Sequence, residues 1–123
     1  MKLHQDQRRD INAVTAYGDD YLDINGERYR ASLVVMPDRL LTDWAPGGFD
    51  GLSADDLHRI AELQPTMVII GTGARQRFPA PAILRPLIDA GLGFEIMDLH
   101  AACRTYNILA GEGRVAAGAF LFD

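Results

Sequence analysis

The chain has 123 residues, 48% of them hydrophobic and 24% charged, a formal net charge of −5 and a single cysteine, Cys103. This length suits one domain with a core that needs no disulfide or metal staple. The acidic balance excludes non-specific binding to nucleic acid or anionic membrane, and the lone cysteine fits a reducing compartment. No apolar run approaches the roughly 20 residues of a membrane span. The first ten residues lack the apolar core of a secretory signal and the serine-rich, acid-poor character of a mitochondrial presequence. The expectation is a cytoplasmic protein of bacterial type, without membrane insertion.

Residues 1–12 are polar and read as an N-terminal arm, leaving residues 13–123 as a single α/β domain. Ala13 to Gly18 and Tyr21 to Ile24 read as short strands. Asn25-Gly26 predicts a type I′ hairpin turn, and Glu27 to Arg30 is the return strand. Ser32 to Met36 is an apolar strand stopped by Pro37. Asp38 to Leu52 reads as one long loop that Trp44 and Phe49 hold in a packed state.

A helix follows, with Ser53 as N-cap, Asp56 completing a capping box, and Leu52 and Leu57 as a hydrophobic staple. Leu57, Ile60 and Ala61 form its inner stripe, and Pro65 ends it. Thr66 to Ile70 is apolar or β-branched without alternation, as in a strand covered on both faces. Pro79-Ala-Pro81 opens a second helix, with Ile83, Leu84, Leu87 and Ile88 on its apolar face. Pro86 inside that pattern predicts a kink or a late start, and Gly91 and Gly93 terminate the helix. Phe94 to Met97 is a strand. Asp98 caps a third helix, Leu99 to Ala110, which ends at Gly111. Arg114 to Phe122 is the last strand, whose alanines and Gly118 predict a helix packed closely above it. From Ser32 onward strands and helices alternate. That predicts an α/β domain with a mixed, mainly parallel central sheet, helices on both faces and right-handed crossovers. The N-terminal β-hairpin makes the sheet mixed or adds a small extra layer.

Any ligand site is expected at the carboxyl end of the Thr66–Ile70 strand, where open α/β sheets bind ligands. Gly71-Thr72-Gly73 is a turn in which both glycines are free to take positive φ or to let another backbone approach. It is half of a dinucleotide fingerprint. The third glycine position holds Gln76, the prolines delay the helix, and the Gly-Lys-Ser/Thr of a P-loop is absent. Arg75 and Arg77 can grip a carboxylate or phosphate with forked hydrogen bonds, or can simply be solvated. His4, His58 and His100 are dispersed, and no ligand spacing points to a metal. Cys103 has His100 three residues before it and Arg104 beside it. Without an orienting partner it reads as a packed thiol. Asn107 beside Tyr106 is an awkward helix residue. It is expected to bond the glycine turn or Arg114, or to face a partner.

Ile70-Gly-Thr-Gly73, Trp44, and Ala101-Ala-Cys-Arg-Thr-Tyr-Asn107 followed by Leu109, Glu112, Gly113, Arg114, Val115 and Ala116 carry a resemblance. Over Val14 to Leu121 the chain resembles the complex I assembly factor 3 family, named for NADH dehydrogenase assembly in mitochondria. The resemblance implies a three-layer α/β fold with a mixed sheet and no recorded enzyme activity. It also implies action through protein contacts, as in the eukaryotic members. The chain departs from them in lacking a presequence and in having Leu99-His100 where smaller or hydroxyl residues are expected.

The leading expectation is a non-enzymatic protein-binding or assembly module that needs no cofactor or metal. Its partner surface is expected around Trp44, Gly71, Thr72, Gly73, Arg75, Arg77, Tyr106, Asn107 and Arg114. Trp44 is expected to be partly buried with one edge left for a subunit or partner, which allows a homodimer. The alternative is a small anion- or phosphate-binding protein using the glycine turn with Arg75 and Arg77. Nucleic acid is not an expected partner.

Overall fold

A computed structural model describes residues 10–122. The elements in chain order are β1 (Val14–Tyr17), β2 (Leu22–Ile24), β3 (Glu27–Tyr29), β4 (Leu33–Met36), β5 (Arg39–Leu41), α1 (Ala54–Glu62), β6 (Met67–Thr72), α2 (Pro81–Asp89), β7 (Gly93–Met97), α3 (Leu99–Gly111) and β8 (Ala116–Leu121). Strands β1, β2 and β3 form an antiparallel sheet of their own. The turn between β2 and β3 has φ of 51° at Asn25 and 89° at Gly26, the paired positive values of a type I′ turn. The expected arm begins outside the described residues, but the chain is already packed by Ile11. Asn12 Nδ2 donates to the Met36 carbonyl at 3.0 Å.

The other five strands form one sheet in the order β5-β4-β8-β6-β7. Strand β6 runs parallel to β7 and β8, whereas β4 runs antiparallel to β5 and β8. The sheet is therefore mixed and not mainly parallel. Helical crossovers link β6, β7 and β8 and keep them parallel. By contrast β4 leaves through the two-residue turn Pro37-Asp38, which forces β5 antiparallel. Strand β5 lies inside the expected loop; three residues, Arg39-Leu40-Leu41, are too few to show a period.

Alternate residues of the strands enter two separate cores. Leu33, Val35, Ile69 and Phe120 pack with α3 and the N-terminal sheet. Val34, Met36, Val68, Ile70 and Leu121 pack with Leu57 and Ile60 of α1 and Leu84 and Leu87 of α2. The capping box of α1 is complete: Ser53 N donates to Asp56 Oδ2 at 3.0 Å and Asp56 N to Ser53 Oγ at 3.4 Å. Helix α2 starts at Pro81 and runs through Pro86, so no late start occurs. Its expected inner residue Ile88 faces outward at 48% exposure. Gly118 serves a different neighbour than expected: a Cβ there would run into the ring of Phe120, two residues along the same face, and not into a helix.

Candidate functional site

Strand β6 continues through Gly71 and Thr72, so only Gly73, at φ 87°, takes the left-handed conformation. Gly71 is needed for close approach instead. A Cβ there would lie 2.8 Å from the Cβ of Ala102 and 3.1 Å from the Cα of Leu99, both on α3. The start of α3 is hooked to the same turn, because Leu99 N donates to the Gly73 carbonyl at 2.8 Å. Asp98 caps that helix by accepting from Ala101 N at 3.0 Å.

Beyond Gly73 the chain is pinned by its own polar groups. Thr72 Oγ1 accepts from Arg77 N at 2.9 Å, and lies 2.8 Å from the Arg75 carbonyl and 3.3 Å from that of Met97 as donor. Gln76 Nε2 donates to the Ile96 carbonyl at 2.8 Å. The Arg77 guanidinium turns back on the strand, donating from Nε and Nη2 to the Thr72 carbonyl at 3.1 and 2.7 Å. Its carbon sits 4.2 Å from the centroid of the Phe49 ring, in cation–π range. Arg77 is thus engaged in holding the loop, while Arg75 is exposed. At the end of this braced segment Phe78 is 69% exposed.

Beside the turn lies a cleft of about 440 Å³ lined by Asp19, Gly73, Ala74, Asp98, Leu99 and His100. His100 Nε2 is 3.0 Å from the Gly18 carbonyl, which requires the proton on Nε2. The imidazole stacks on Tyr17 with centroids 4.0 Å apart. The Tyr17 hydroxyl accepts from Arg104 Nη1 at 2.8 Å. In the sequence His100 stands out only as a dispersed histidine near Cys103, and Asp19 not at all; they line one cleft because β1 packs along α3, a contact between distant segments that no local spacing reveals. Among the described residues no group of three or more ligating side chains is placed to hold a metal.

The remaining expected site residues are scattered. Trp44 is only 1% exposed, and its Nε1 donates to the Asp56 carbonyl at 2.9 Å. The exposed edge expected of it does not exist, because the indole closes the core under α1. Tyr106 is wholly buried, its hydroxyl donating to the Asn12 carbonyl at 2.8 Å, and burial pushes its phenol well above the usual range. Asn107 bonds neither the glycine turn nor Arg114. Its Oδ1 accepts from Val14 N at 2.9 Å and its Nδ2 donates to the Val14 carbonyl at 2.8 Å, clamping β1 as a neighbouring strand would. Arg114 is exposed next to Val115, whose carbonyl accepts from Thr66 N at the start of β6. It lies the length of a strand, ~20 Å, from the glycine turn. Cys103 is fully buried, and burial pushes its thiol far up, with the Arg104 charge offsetting only part. No described side-chain nitrogen or oxygen is buried without a partner.

The fold and this arrangement define a small mixed α/β domain whose conspicuous polar residues mostly serve its own backbone. Residues 14–121 match a family model described as a protein of unknown function (DUF498/DUF598), and the chain belongs to that family. The bovine NADH dehydrogenase [ubiquinone] 1 alpha subcomplex assembly factor 3 is 27% identical over 110 residues, 88% of this chain and 59% of that protein. The chain thus spans less than two thirds of that relative's length. A crystal structure of a Bordetella parapertussis protein superposes with a TM-score of 0.84 at 39% identity, covering 92% of this chain and 97% of that one. A Francisella tularensis protein named 13 kDa major membrane protein is 36% identical over 58 residues, 47% of each chain. Among the described residues no helix is long and apolar enough to cross a membrane.

Proposed function

We propose that the chain is a non-enzymatic assembly module that binds a protein partner through the loop Gly73–Phe78, in a role linked to building a respiratory complex. The observation that carries this reading is Phe78. A large apolar side chain stands 69% exposed at the end of a loop braced by Thr72, Gln76 and Arg77. A rigid, exposed aromatic loses little entropy on burial, which is what an interface anchor requires. The similarity to assembly factors supports the same reading. In it, Arg75 joins Phe78 on the contact surface. Gly71, Thr72, Tyr106 and Asn107 hold the loop and α3 in place, while Trp44 sits under α1 and Arg114 stands apart. The module works in the cytoplasm, without membrane insertion or nucleic acid.

An anion site on Arg75 and Arg77 draws less support, because the Arg77 donors already serve the Thr72 carbonyl. The test is a photo-crosslinking amino acid placed at Phe78 or, as control, at Arg114, in cells that make the protein. A discrete protein adduct from position 78 and none from 114 is the expected result. Equal labelling at both, or none at 78, would sink the reading. Calorimetric binding of phosphate that disappears in Arg75→Ala would favour the anion alternative.

A further inference from the structure

Helix α2 breaks the pattern of a surface helix, which turns an apolar stripe inward and polar residues outward. Its outward residues include Pro81, Ala82 and Ile88, the last 48% exposed, and only Arg85 and Asp89 bring charge to that face. Between α1 and α2 runs an open groove of about 540 Å³. Ala54, Ala61, Ala82 and Pro86 give it an apolar floor. Two i,i+4 pairs rim it, His58–Glu62 at 3.6 Å on α1 and Arg85–Asp89 at 3.9 Å on α2. All four rim side chains are about two-thirds exposed, and none is otherwise bonded to a described residue. Such pairs contribute little where they stand, so Arg85 and Asp89 are free to serve another contact.

We propose that this face docks a second copy of the same chain, α2 lying antiparallel against the α2 of that copy across a two-fold axis level with Leu87. The order of charge selects this occupant. Residues four apart share one helix face, about 6 Å apart along the axis. A base followed by an acid at that spacing is complementary to itself when turned end for end. Arg85 of one copy then meets Asp89 of the other, and the reverse, in one isologous contact. A uniformly acidic or basic partner would meet one repulsive position for each attractive one. The dimer covers the groove, and leaves the Phe78 reading neither required nor contradicted.

The experiment is sedimentation velocity over a concentration series on four samples: the unaltered chain, Arg85→Asp, Asp89→Arg, and an equimolar mixture of the two variants. The unaltered chain should pass from monomer to dimer. Each variant alone places like charges opposite each other twice, and its dissociation constant should rise about tenfold or more. Both substitutions are at exposed positions, and circular dichroism should show both variants folded. The mixture should recover the dimer, since one copy then carries two acids and the other two bases. An unaltered chain that stays monomeric at millimolar concentration overturns the proposal. So does a dimer that persists in both variants, or a mixture no more associated than its parts.

Discussion

Helices α3 and α2 cover opposite faces of the same five-stranded sheet, yet they treat their polar residues in opposite ways. Polar side chains on α3 are consumed by the N-terminal segment packed against the helix. Asn107 holds Val14, Tyr106 holds Asn12, Arg104 holds Tyr17 and His100 holds Gly18. Helix α2 makes no such bonds among the described residues and is held by Leu84 and Leu87, while each helix leaves one isoleucine in water, Ile88 on α2 and Ile108 on α3. The difference separates two signals that look alike in a sequence. An unusual polar run on a helix can be the glue for a distant strand, whereas an ordinary apolar helix can carry the free surface. In this protein the residues that looked like a site are mostly structural, and those that looked like core include the exposed ones.

The comparison breaks first, and hardest, at Trp44. If the indole is an interior plug, Trp44→Ala should cost ~3–5 kcal/mol, as large-to-small core substitutions do. It also leaves the Asp56 carbonyl in α1 without the bond from Nε1. Urea unfolding should show the loss as a lower midpoint. A midpoint within error of the unaltered protein would mean that the loop carries the indole outside the core.

Asn107→Ala comes next. It strips the partners from both the Val14 N–H and the Val14 carbonyl, at about 1–3 kcal/mol for each group left unmet where water is excluded. Part is recovered at the half-wet edge, so about 2 kcal/mol is the expected total. Cys103 offers a second readout from the same helix. Its buried, raised thiol should alkylate far more slowly than free cysteine in the intact protein, and faster once β1 loosens from α3. Unchanged stability together with unchanged alkylation would show that the N-terminal sheet does not depend on this clamp.

The glycine turn sharpens the comparison at smaller amplitude. Gly71→Ala forces a methyl against Ala102 and Leu99, and overpacking of this kind costs ~1–3 kcal/mol. Gly73→Ala brings the strain of a positive φ, about 1 kcal/mol. Thermal melts of the pair should rank them in that order. The reverse order would place the demand on backbone conformation and not on the approach of α3.

Much of the fold was legible because its signals are local. Asn25-Gly26, the Ser53–Asp56 box, Asp98 as a cap and the alternation of strands with helices expected from Ser32, which β5 interrupts once before α1, each act within a few residues. The parallel trio β6, β7 and β8 followed from that alternation. The direction of β4 did not, because it is set by pairing with β8, the far end of the chain. The glycine turn was also found, and its glycines were assigned two open uses. Packing against α3 selects close approach for Gly71 and positive φ for Gly73. What stayed hidden were the bonds of Trp44, Arg77 and Asn107. Each joins a side chain to a backbone atom displaced along the chain, by 12, 5 and 93 residues, with no pattern at that spacing.

The smallest effect belongs to α2, and it tests the other half of the comparison. Ile88 is half exposed, so Ile88→Ser removes only part of an apolar contact and changes helix propensity little. A cost of about 1 kcal/mol or less follows from the area still buried, below that expected for Asn107→Ala on the opposite face. The measurement is urea unfolding at a concentration low enough to keep the protein monomeric, so that lost association does not count as lost folding. A loss of 2 kcal/mol or more under those conditions would make Ile88 part of the core. The outward face of α2 would then be no freer than that of α3, and the contrast between the two helices would fail. If stability holds and association falls at higher concentration, Ile88 acts between copies of the chain and not within one.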